Sequence, residues 1–395
     1  MLAALPAALL AQQPYPHANE AIGSVREIYD GALSPDMAVT TFRNIDRLFP
    51  SRRVARSTRP RPLLPANESL TSVTVMEGGV PYGLQEFMEL NRVAGLLVLQ
   101  DGQVKMERYR FGNTERTRWM SMSVAKSVTS TLFGAALEDG HILGLSDPVT
   151  GYVPALMGSA YDGVSVRDIL MMSSGVRWRE TYTDPTSDRR HLLEAQIAQR
   201  PGGAMAVMRA LPRGAPPGTV NRYSTGETQI AAEVLFRALG GPLSDYLHDQ
   251  IWEPYGMEAD ATWWLESPDG VEIGGSGFSA VLRDYGRLGQ FVLEDGVIGG
   301  ERVLPEGWVR EASTPKVLIG GSPLDYGYLW WTTTSEAGRR DRAFAGEGIH
   351  GQFLYINPTV HVVIVIWSAR PQPVGGEIVS DWAFFDAVTE ALRAR

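Results

Sequence analysis

Two stretches of the sequence are typical of β-hairpins, and they constrain the fold more than any other feature. One lies in the first third of the chain and the other near its end. Residues 92–100, RVAGLLVLQ, are apolar and strand-like, and the turn dipeptide Asp101-Gly102 follows them. Residues 351–367 form two apolar runs around a second turn, and their β-branched side chains favour strands over a helix. Strands of an antiparallel sheet are therefore expected from both ends of the chain.

Helical spacing of apolar residues dominates the sequence between these stretches. Segments such as GETQIAAEVLFRALGG show this spacing, and Gly240 and Gly256 are typical helix stops. The tail, residues 380–393, has one apolar face at the same spacing and is suited to lie on a sheet. The pattern predicts an α/β fold of the α+β kind, in which an antiparallel sheet flanked by helices carries an inserted, mostly helical domain.

The same pattern predicts the domain boundaries. We expect residues 66–150 and 266–395 to form the α/β domain and residues 151–265 to form the mostly helical domain. Residues 1–65 are expected to be an N-terminal extension and linker, because the arginine-rich run 52–61 fits a solvated segment that contains proline. An inserted domain creates a cleft where it meets its host, and such clefts are common ligand sites.

Composition excludes several classes of function. The net charge of −9 does not supply the basic surface that nonspecific binding to nucleic acid requires, so no nucleic-acid partner is expected. The chain has no cysteine, and its 6 histidines form no His-Glu-x-x-His pair, so we expect neither a metal nor a cofactor. After the N-terminus, no apolar run approaches the ~20 uninterrupted residues that a membrane helix needs.

The apolar N-terminus bears on where the protein works. MLAALPAALLAQQP resembles the apolar end of a secretory signal with Ala11 as a candidate cleavage position, but it is short and lacks a positive start. Residues 1–11 are therefore either a truncated export signal or simply an apolar N-terminus. The sequence leaves open a cytoplasmic or periplasmic localisation, and it leaves open whether the protein forms a homodimer.

Lysine usage points to a reactive group. Of 36 basic residues only Lys105, Lys126 and Lys316 are lysines. Arginine keeps its proton near neutral pH, whereas a buried lysine can lose one and act as a base. Lys126 lies three residues after Ser123 in MSMSVAKS, and on a helix this spacing places both side chains on one face.

The helix that carries this pair is predicted to run from about Ser121 to the stop at Gly140. A serine near a helix start is favoured by the unpaired N–H groups and the positive end of the dipole. A serine hydroxyl also requires a neighbouring base to become a nucleophile, and Lys126 supplies one to Ser123. The alternative is a polar helix start in which Ser121 is only a cap.

Tyr223 stands where a Pro-Gly loop meets the next predicted helix, in PPGTVNRYSTGETQI. A phenol at such a junction can face the cleft and relay a proton between the nucleophile and the leaving group. The alternative for Tyr223 is a half-buried aromatic residue that serves only packing.

The segment GEGIHGQFLYI contains the G-x-G-x-x-G spacing of dinucleotide-binding proteins. That fingerprint needs a strand before it and a helix after it, whereas here GRRDRAF precedes and a strand follows. We interpret the segment as the Gly-rich start of a strand whose backbone approaches the cleft, with the N–H of Ile349 facing an oxyanion. His350 either points into the site or makes a structural hydrogen bond.

These three motifs, in this order, resemble the serine-reactive family of class C β-lactamases, penicillin-binding D,D-peptidases and family VIII carboxylesterases. Within that family the chain is most similar to the 6-aminohexanoate-dimer hydrolases, which cleave nylon oligomers. The resemblance includes long strings such as WMSMSVAKS, YVPALMGSAYDGVSVRDILMMSSGVRW and YGYLWW. It implies a β-lactamase/transpeptidase-like fold.

The resemblance also implies roles for individual residues. Ser123 would be the acylated nucleophile, Lys126 its base and Tyr223 the group that handles the leaving-group proton. The N–H groups of Ser123 and Ile349 would form the oxyanion hole. The expected substrate-binding residues are Tyr182, Trp331 and His350.

Departures from the family pattern narrow the substrate. Thr225 stands where β-lactamases have asparagine, and GIHG replaces their Lys-Thr-Gly, so the usual cation for a β-lactam carboxylate is missing. The acid with which nylon-oligomer hydrolases meet the substrate amine has only approximate counterparts in Asp188 and Glu194. We predict a serine hydrolase that cleaves amide or ester bonds of small linear acyl substrates, with a β-lactamase or D,D-peptidase as the alternative.

Overall fold

The computed structural model describes residues 14–393, and the two alternatives for residues 1–11, a truncated export signal or an apolar N-terminus, lie outside them. Within this part of the chain the strands are β1 Ser51–Val54, β2 Thr74–Glu77, β3 Val80–Gly83, β4 Val93–Gln100, β5 Gln103–Tyr109, β6 Arg118–Met120, β7 Ala261–Trp264, β8 Phe278–Val281, β9 Val297–Ile298, β10 Glu301–Arg302, β11 Lys316–Val317, β12 Pro323–Leu324, β13 Trp331–Thr332, β14 Phe344–Gly348, β15 Gln352–Asn357 and β16 Val362–Ser368.

The α-helices are α1 Val25–Asp30, α2 Pro35–Phe42, α3 Leu84–Leu90, α4 Val124–Glu138, α5 Val149–Tyr152, α6 Val166–Leu170, α7 Asp188–Ile197, α8 Gly203–Ala210, α9 Thr225–Leu239, α10 Leu243–Leu247, α11 Glu253–Tyr255, α12 Leu282–Leu293, α13 Trp308–Ser313, α14 Glu336–Asp341 and α15 Asp381–Arg393. Short 3-10 turns lie at Ile45–Arg47 and Pro154–Leu156, and one π-helical turn lies at His248–Trp252. In residues 14–393 we find no helix with the length and apolarity that a membrane crossing requires.

The central sheet has six strands in the order β13-β14-β15-β16-β4-β5, and every neighbouring pair is antiparallel. Both predicted hairpins are present as β4–β5 and β15–β16. The pairing of β16 with β4 joins the two ends of the chain, with Val365 opposite Leu97. The predicted antiparallel sheet flanked by helices is thereby confirmed.

Both faces of this sheet are covered, which explains why its central strands are apolar throughout. Alternate side chains of a strand point to opposite faces. Leu97 and Leu99 therefore belong to one core cluster together with residues of α12, while Leu96 and Val98 belong to a second cluster with Phe384 of α15. The tail helix packs on the sheet as its apolar face predicts.

A second sheet has four strands in the order β1-β7-β8-β6. Its edge strand β1 lies in the arginine-rich run predicted to be a solvated linker, and that prediction is wrong for residues 51–54. Arg52 lies opposite Trp263 of β7, and its guanidinium lies 2.6 Å from the buried carboxylate of Glu272. The arginines suit an edge strand because charge discourages pairing with another chain. The domain boundaries stay predictions.

Between β6 and β7 the regular elements of the described chain are all helical, from α4 to α11. Helix α9 ends at Gly240 and α11 ends at Gly256, and both glycines adopt the left-handed conformation, at φ 70° and 83°. Helix α9 packs against α4 and α6. This arrangement brings the start of α9, which carries the tyrosine motif, to the start of α4, which carries the serine motif.

Candidate active site

Ser123 lies at the joint between β6 and α4. The joint contains Met122 with φ 43°, a conformation that a non-glycine residue adopts at a cost of about 1–3 kcal/mol. Ser123 itself is the residue before the helix, and its side chain makes no capping hydrogen bond. The helix therefore begins at Val124, not near Ser121 as predicted, because the strained joint redirects the chain. Ser121 instead donates its hydroxyl hydrogen to the carbonyl of Met122.

Lys126 is buried and points at the serine. Its Nζ lies 2.8 Å from Ser123 Oγ, 3.1 Å from Thr225 Oγ1 and 2.9 Å from the carbonyl oxygen of Gly275. Burial lowers the pKa of Lys126 from 10.5 to about 7; the nearby Glu180 carboxylate opposes this shift and Arg189 adds to it. The amine is therefore neutral in a large fraction of molecules at neutral pH, which a general base requires.

Gly275 has to be glycine for this contact to exist. A Cβ atom at this position would lie 2.2 Å from Thr228 Oγ1 and 3.3 Å from Lys126 Nζ. Any side chain would therefore push α9 and the lysine away from the backbone of Gly275. The backbone of Gly275 thus reaches the amine at a distance that only a missing side chain allows.

Tyr223 completes the group around the serine. Its ring centroid lies 5.2 Å from Lys126 Nζ, and the ring stacks on Trp331 at 5.3 Å with 23° between the planes. Burial raises the pKa of Tyr223 far above its ordinary value, and a hydrogen bond with Ser123 opposes the shift. The phenol therefore keeps its proton at rest and can donate it to a leaving group.

The predicted oxyanion donors lie on two chain segments that nearly touch. Gly348, the last residue of β14, approaches the nucleophile joint so closely that a Cβ atom would lie 2.4 Å from the carbonyl oxygen of Ser121. Ile349 follows directly and borders the cleft next to Ser123. Between residues 14 and 393, neither Ser123 nor Ile349 donates its backbone N–H to another residue. Both N–H groups are thus available to a substrate oxygen.

The Gly-rich segment is not a dinucleotide site. Strand β14, Phe344–Gly348, precedes the turn, a feature that the sequence interpretation missed, and β15 follows it where the fingerprint needs a helix. The conclusion that no dinucleotide binds here is unchanged, because the missing helix is the element that would hold the pyrophosphate.

His350 does not point into the cleft. The residue is buried, with Nδ1 2.8 Å from the carbonyl oxygen of Arg370 and Nε2 3.1 Å from that of Ile28. Burial lowers the pKa of His350 to about 4, so the ring is neutral at physiological pH. The prediction that His350 binds substrate is therefore wrong, and the contacts support the alternative, a structural hydrogen bond.

Ser123 opens into a cleft of about 760 Å³. Tyr182 and Trp331, both predicted from the resemblance, line it together with Tyr223 and Ile349. Further lining residues were not predicted: Glu180, Glu347, Phe353, Arg370, Glu377, Asp381 and Trp382. They come from several elements: Glu347 and Phe353 lie on β14 and β15, Arg370 and Glu377 in the loop before α15, and Asp381 and Trp382 at the start of α15. The position of Glu180, two residues before Tyr182, was the one signal in the sequence.

The two acids considered as partners for a substrate amine lie elsewhere. Asp188 accepts a hydrogen bond from the backbone N–H of Arg179 at 2.8 Å, and Glu194 pairs with Arg26 at 2.6 Å on the surface. Neither acid lines the cleft. The cleft carries Glu347 instead, whose pKa is raised to about 7 by burial while a hydrogen bond from Trp382 opposes the shift.

Across residues 14–393 we find no cluster of three or more His, Cys, Asp or Glu side chains arranged to hold a metal ion.

Comparison with known proteins agrees with this geometry. The family model described as beta-lactamase matches residues 84–387. The chain belongs to the beta-lactamase family. It is 32% identical over 346 residues to the 6-aminohexanoate-dimer hydrolase of Paenarthrobacter ureafaciens, which covers 84% of this chain and 85% of that protein. The resemblance predicted from the motifs is confirmed. The family and the similarity to this hydrolase together support the predicted class of enzyme, a serine hydrolase of amide or ester bonds.

Solved structures of other proteins share the fold of this beta-lactamase family member. A candidate 6-aminohexanoate-dimer hydrolase from Bacillus anthracis superimposes with a TM-score of 0.78 at 21% identity, covering 95% of this chain and 98% of that one. An octameric penicillin-binding protein homologue from Pyrococcus abyssi gives a TM-score of 0.60 at 17% identity, covering 79% and 75%. These likenesses confirm the predicted β-lactamase/transpeptidase-like fold.

Proposed function

We propose that this protein hydrolyses small linear amides or esters through an acyl-enzyme on Ser123. The observation that carries the proposal is the distance of 2.8 Å between the hydroxyl of Ser123 and the buried amine of Lys126, whose pKa is lowered to about 7. A neutral amine in contact with a serine hydroxyl can act as the general base that a serine nucleophile requires.

In the first half-reaction the proton of Ser123 Oγ moves to the lone pair of Lys126 while Oγ bonds to the substrate carbonyl carbon. The carbonyl oxygen becomes an oxyanion and accepts hydrogen bonds from the N–H groups of Ser123 and Ile349. The bond to the amine or alcohol then breaks, and the leaving group takes the proton of the Tyr223 phenol. Lys126 returns a proton to Tyr223, which leaves a neutral lysine and an acylated serine.

Water completes the cycle in the second half-reaction. The neutral Lys126 accepts a proton from the water molecule as its oxygen attacks the acyl carbon, and the same two N–H groups hold the second oxyanion. The bond to Ser123 Oγ breaks, the proton returns to the serine, and the carboxylic acid leaves. No other reactant is consumed.

The charges on the cleft wall favour a linear substrate over a β-lactam. Of the described residues that line the cleft, Arg370 is the one cation, and it is bound to Asp381 at 2.5 Å and lies 3.5 Å from Glu377. A β-lactam carboxylate would have to compete with both acids for it. Aromatic side chains such as Tyr182 and Trp331 instead offer apolar surface to the methylene groups of an acyl chain.

The test is to measure turnover of p-nitrophenyl esters and of a panel of linear amides by the wild type and by Ser123→Ala. We expect the variant to lose turnover and the wild type to show a mass adduct on Ser123. Activity retained in Ser123→Ala would refute the proposal. Fluorescent penicillin serves as the comparison probe, because rapid and stable labelling of Ser123 would point to the D,D-peptidase alternative.

A further inference from the structure

The hydroxyl of Thr225 lies between the lysine and an acid that no motif predicts. Thr225 Oγ1 is 3.1 Å from Lys126 Nζ and also within hydrogen-bond distance of Glu180 Oε1. The second carboxylate oxygen of Glu180 accepts the backbone N–H of Thr225 at 2.9 Å and the indole N–H of Trp178. Glu180 therefore holds Thr225 at two points, and a third contact fixes Glu180 itself.

The chemistry of these groups fixes the direction of each hydrogen bond. An ionised carboxylate only accepts, and a threonine hydroxyl has a single hydrogen, so Thr225 donates that hydrogen to Glu180. Thr225 Oγ1 then offers only lone pairs to Lys126. The carbonyl oxygen of Gly275, 2.9 Å from Nζ, also can only accept.

The direction of the lysine lone pair follows from this count. A neutral amine has two hydrogens and one lone pair. Thr225 and Gly275 accept the two hydrogens, and the third contact of Nζ is Ser123 Oγ at 2.8 Å. The lone pair is left facing the serine hydroxyl, which is the direction that proton abstraction needs.

We propose that Glu180 is a positioning residue that keeps the Thr225 hydroxyl turned away from Lys126 and so directs the lysine lone pair at Ser123. The inference rests on the proposed function, which makes Lys126 the base. It also explains why threonine can stand where β-lactamases have asparagine. An amide oxygen can only accept, whereas a hydroxyl can rotate and donate, so Thr225 needs an acceptor that holds its hydrogen.

Glu180→Gln tests the proposal because it keeps the shape and changes the donors. The amide oxygen can accept the Thr225 N–H, but the amide nitrogen then donates to Thr225 Oγ1. The threonine hydrogen is released and can turn to the lone pair of Lys126. We expect the rate of Ser123 acylation by a p-nitrophenyl ester to fall about tenfold or more at alkaline pH, where the lysine is fully neutral.

The pH profile of acylation separates this role from others. Glu180, Arg189 and Tyr223 are the charged or titratable groups that face Lys126, and removing the charge of Glu180 moves the acidic limb to lower pH. A lower acylation rate on the alkaline plateau, together with this shift of the acidic limb, supports the proposal. The shift without a lower plateau would show that Glu180 acts by charge alone and would overturn it, as would a profile identical to that of the wild type.

Matched variants keep the test decisive. Glu194→Gln removes the same charge from the surface, outside the cleft and without a contact to Thr225, and should leave the acylation rate at alkaline pH unchanged. Thr225→Ser keeps the hydroxyl and should acylate at nearly the wild-type rate, whereas Thr225→Val should lose about as much rate as Glu180→Gln. If Glu180→Gln does not fold, the acylation rates of Thr225→Ser and Thr225→Val are compared instead, and equal rates for these two variants would overturn the proposal.

Failure of the inference and failure of the proposed function give different results. Absence of a Ser123 adduct in the wild type would contradict the proposed function. A normal adduct in the wild type together with an equally fast adduct in Glu180→Gln at alkaline pH would contradict the inference alone.

Discussion

Replacement of Lys126 by methionine should inactivate the enzyme and at the same time change how its stability depends on pH. The native state holds the pKa of Lys126 at about 7, whereas in the unfolded chain it is near 10.5. Between these two values the unfolded chain binds a proton that the native protein does not. The free energy of unfolding of the wild type therefore rises with pH in this window, and the cost of the buried lysine is fully present below pH 7.

The magnitude follows from the pKa shift. Each pH unit in the window contributes about 1.4 kcal/mol, so the cost at pH 7 is about 4 kcal/mol and vanishes near pH 10.5. Methionine removes this cost but also removes the three hydrogen bonds of Nζ, each worth about 0.5–1.5 kcal/mol. The three bonds together offset about 1.5–4.5 kcal/mol, so we expect Lys126→Met to be about 1 kcal/mol more stable than the wild type at pH 7, within a range of about −0.5 to 2.5 kcal/mol, and less stable near pH 10.

The assay is urea unfolding of both proteins at a series of pH values, with the difference in unfolding free energy plotted against pH. We expect this difference to be constant below pH 7 and to change by about 1.4 kcal/mol per pH unit above it. Ser123→Ala is the control, since it is inactive but keeps the lysine and should follow the wild type. A difference that stays constant from pH 7 to 10 would show that Lys126 titrates as it does in the unfolded chain, and the assignment of a neutral base would fail.

Three further predictions concern the surroundings of this group. Gly348→Ala places a Cβ atom 2.4 Å from the carbonyl oxygen of Ser121, so it should destabilise the fold by about 1–3 kcal/mol and lower kcat; unfolding and steady-state kinetics that match the wild type would contradict the close approach. Trp331→Ala removes the 5.3 Å stack on Tyr223, worth about 0.5–1.5 kcal/mol, and should raise KM for aromatic or long acyl esters several-fold, whereas an unchanged KM would place substrates elsewhere. Acidification from pH 6.5 to 4 should lower the free energy of unfolding, because the imidazole of His350 binds a proton in the unfolded chain but stays neutral in the native state. In His350→Phe this decrease should be smaller by up to about 3 kcal/mol, as measured by thermal unfolding at a series of pH values.

Local sequence was sufficient for the features that depend on neighbouring residues. The hairpin β4–β5 could be predicted because an apolar run and a turn dipeptide lie within one short stretch. The pair of Ser123 and Lys126 could be predicted because a spacing of three places them on one helix face. Even here the spacing does not indicate the positive φ of Met122, and α4 begins after this residue, at Val124.

Features that arise from contacts distant in sequence could not be predicted. The arginines of β1 look solvated and predict a linker, and only the pairing of this segment with β7 shows that it is a strand. Glu180 meets Thr225 across 45 residues of chain, and nothing in either segment alone indicates the contact. The sequence leaves His350 with two alternatives, pointing into the site or a structural hydrogen bond, and the carbonyl oxygens that decide between them come from the distant Ile28 and Arg370.

The cleft joins two kinds of structure that can change independently during evolution. Two helices carry the groups around the nucleophile: Ser123 directly precedes α4, Lys126 lies in α4 and Thr225 begins α9. Tyr182 and Glu377 of the cleft wall belong to loops outside both helices. Loops accept substitutions and insertions that packed helices do not. A lineage could therefore exchange one substrate for another by rewriting these loops while the acylating atoms stay in place. Laboratory libraries confined to the same loops would sample new specificities from a chain that still folds.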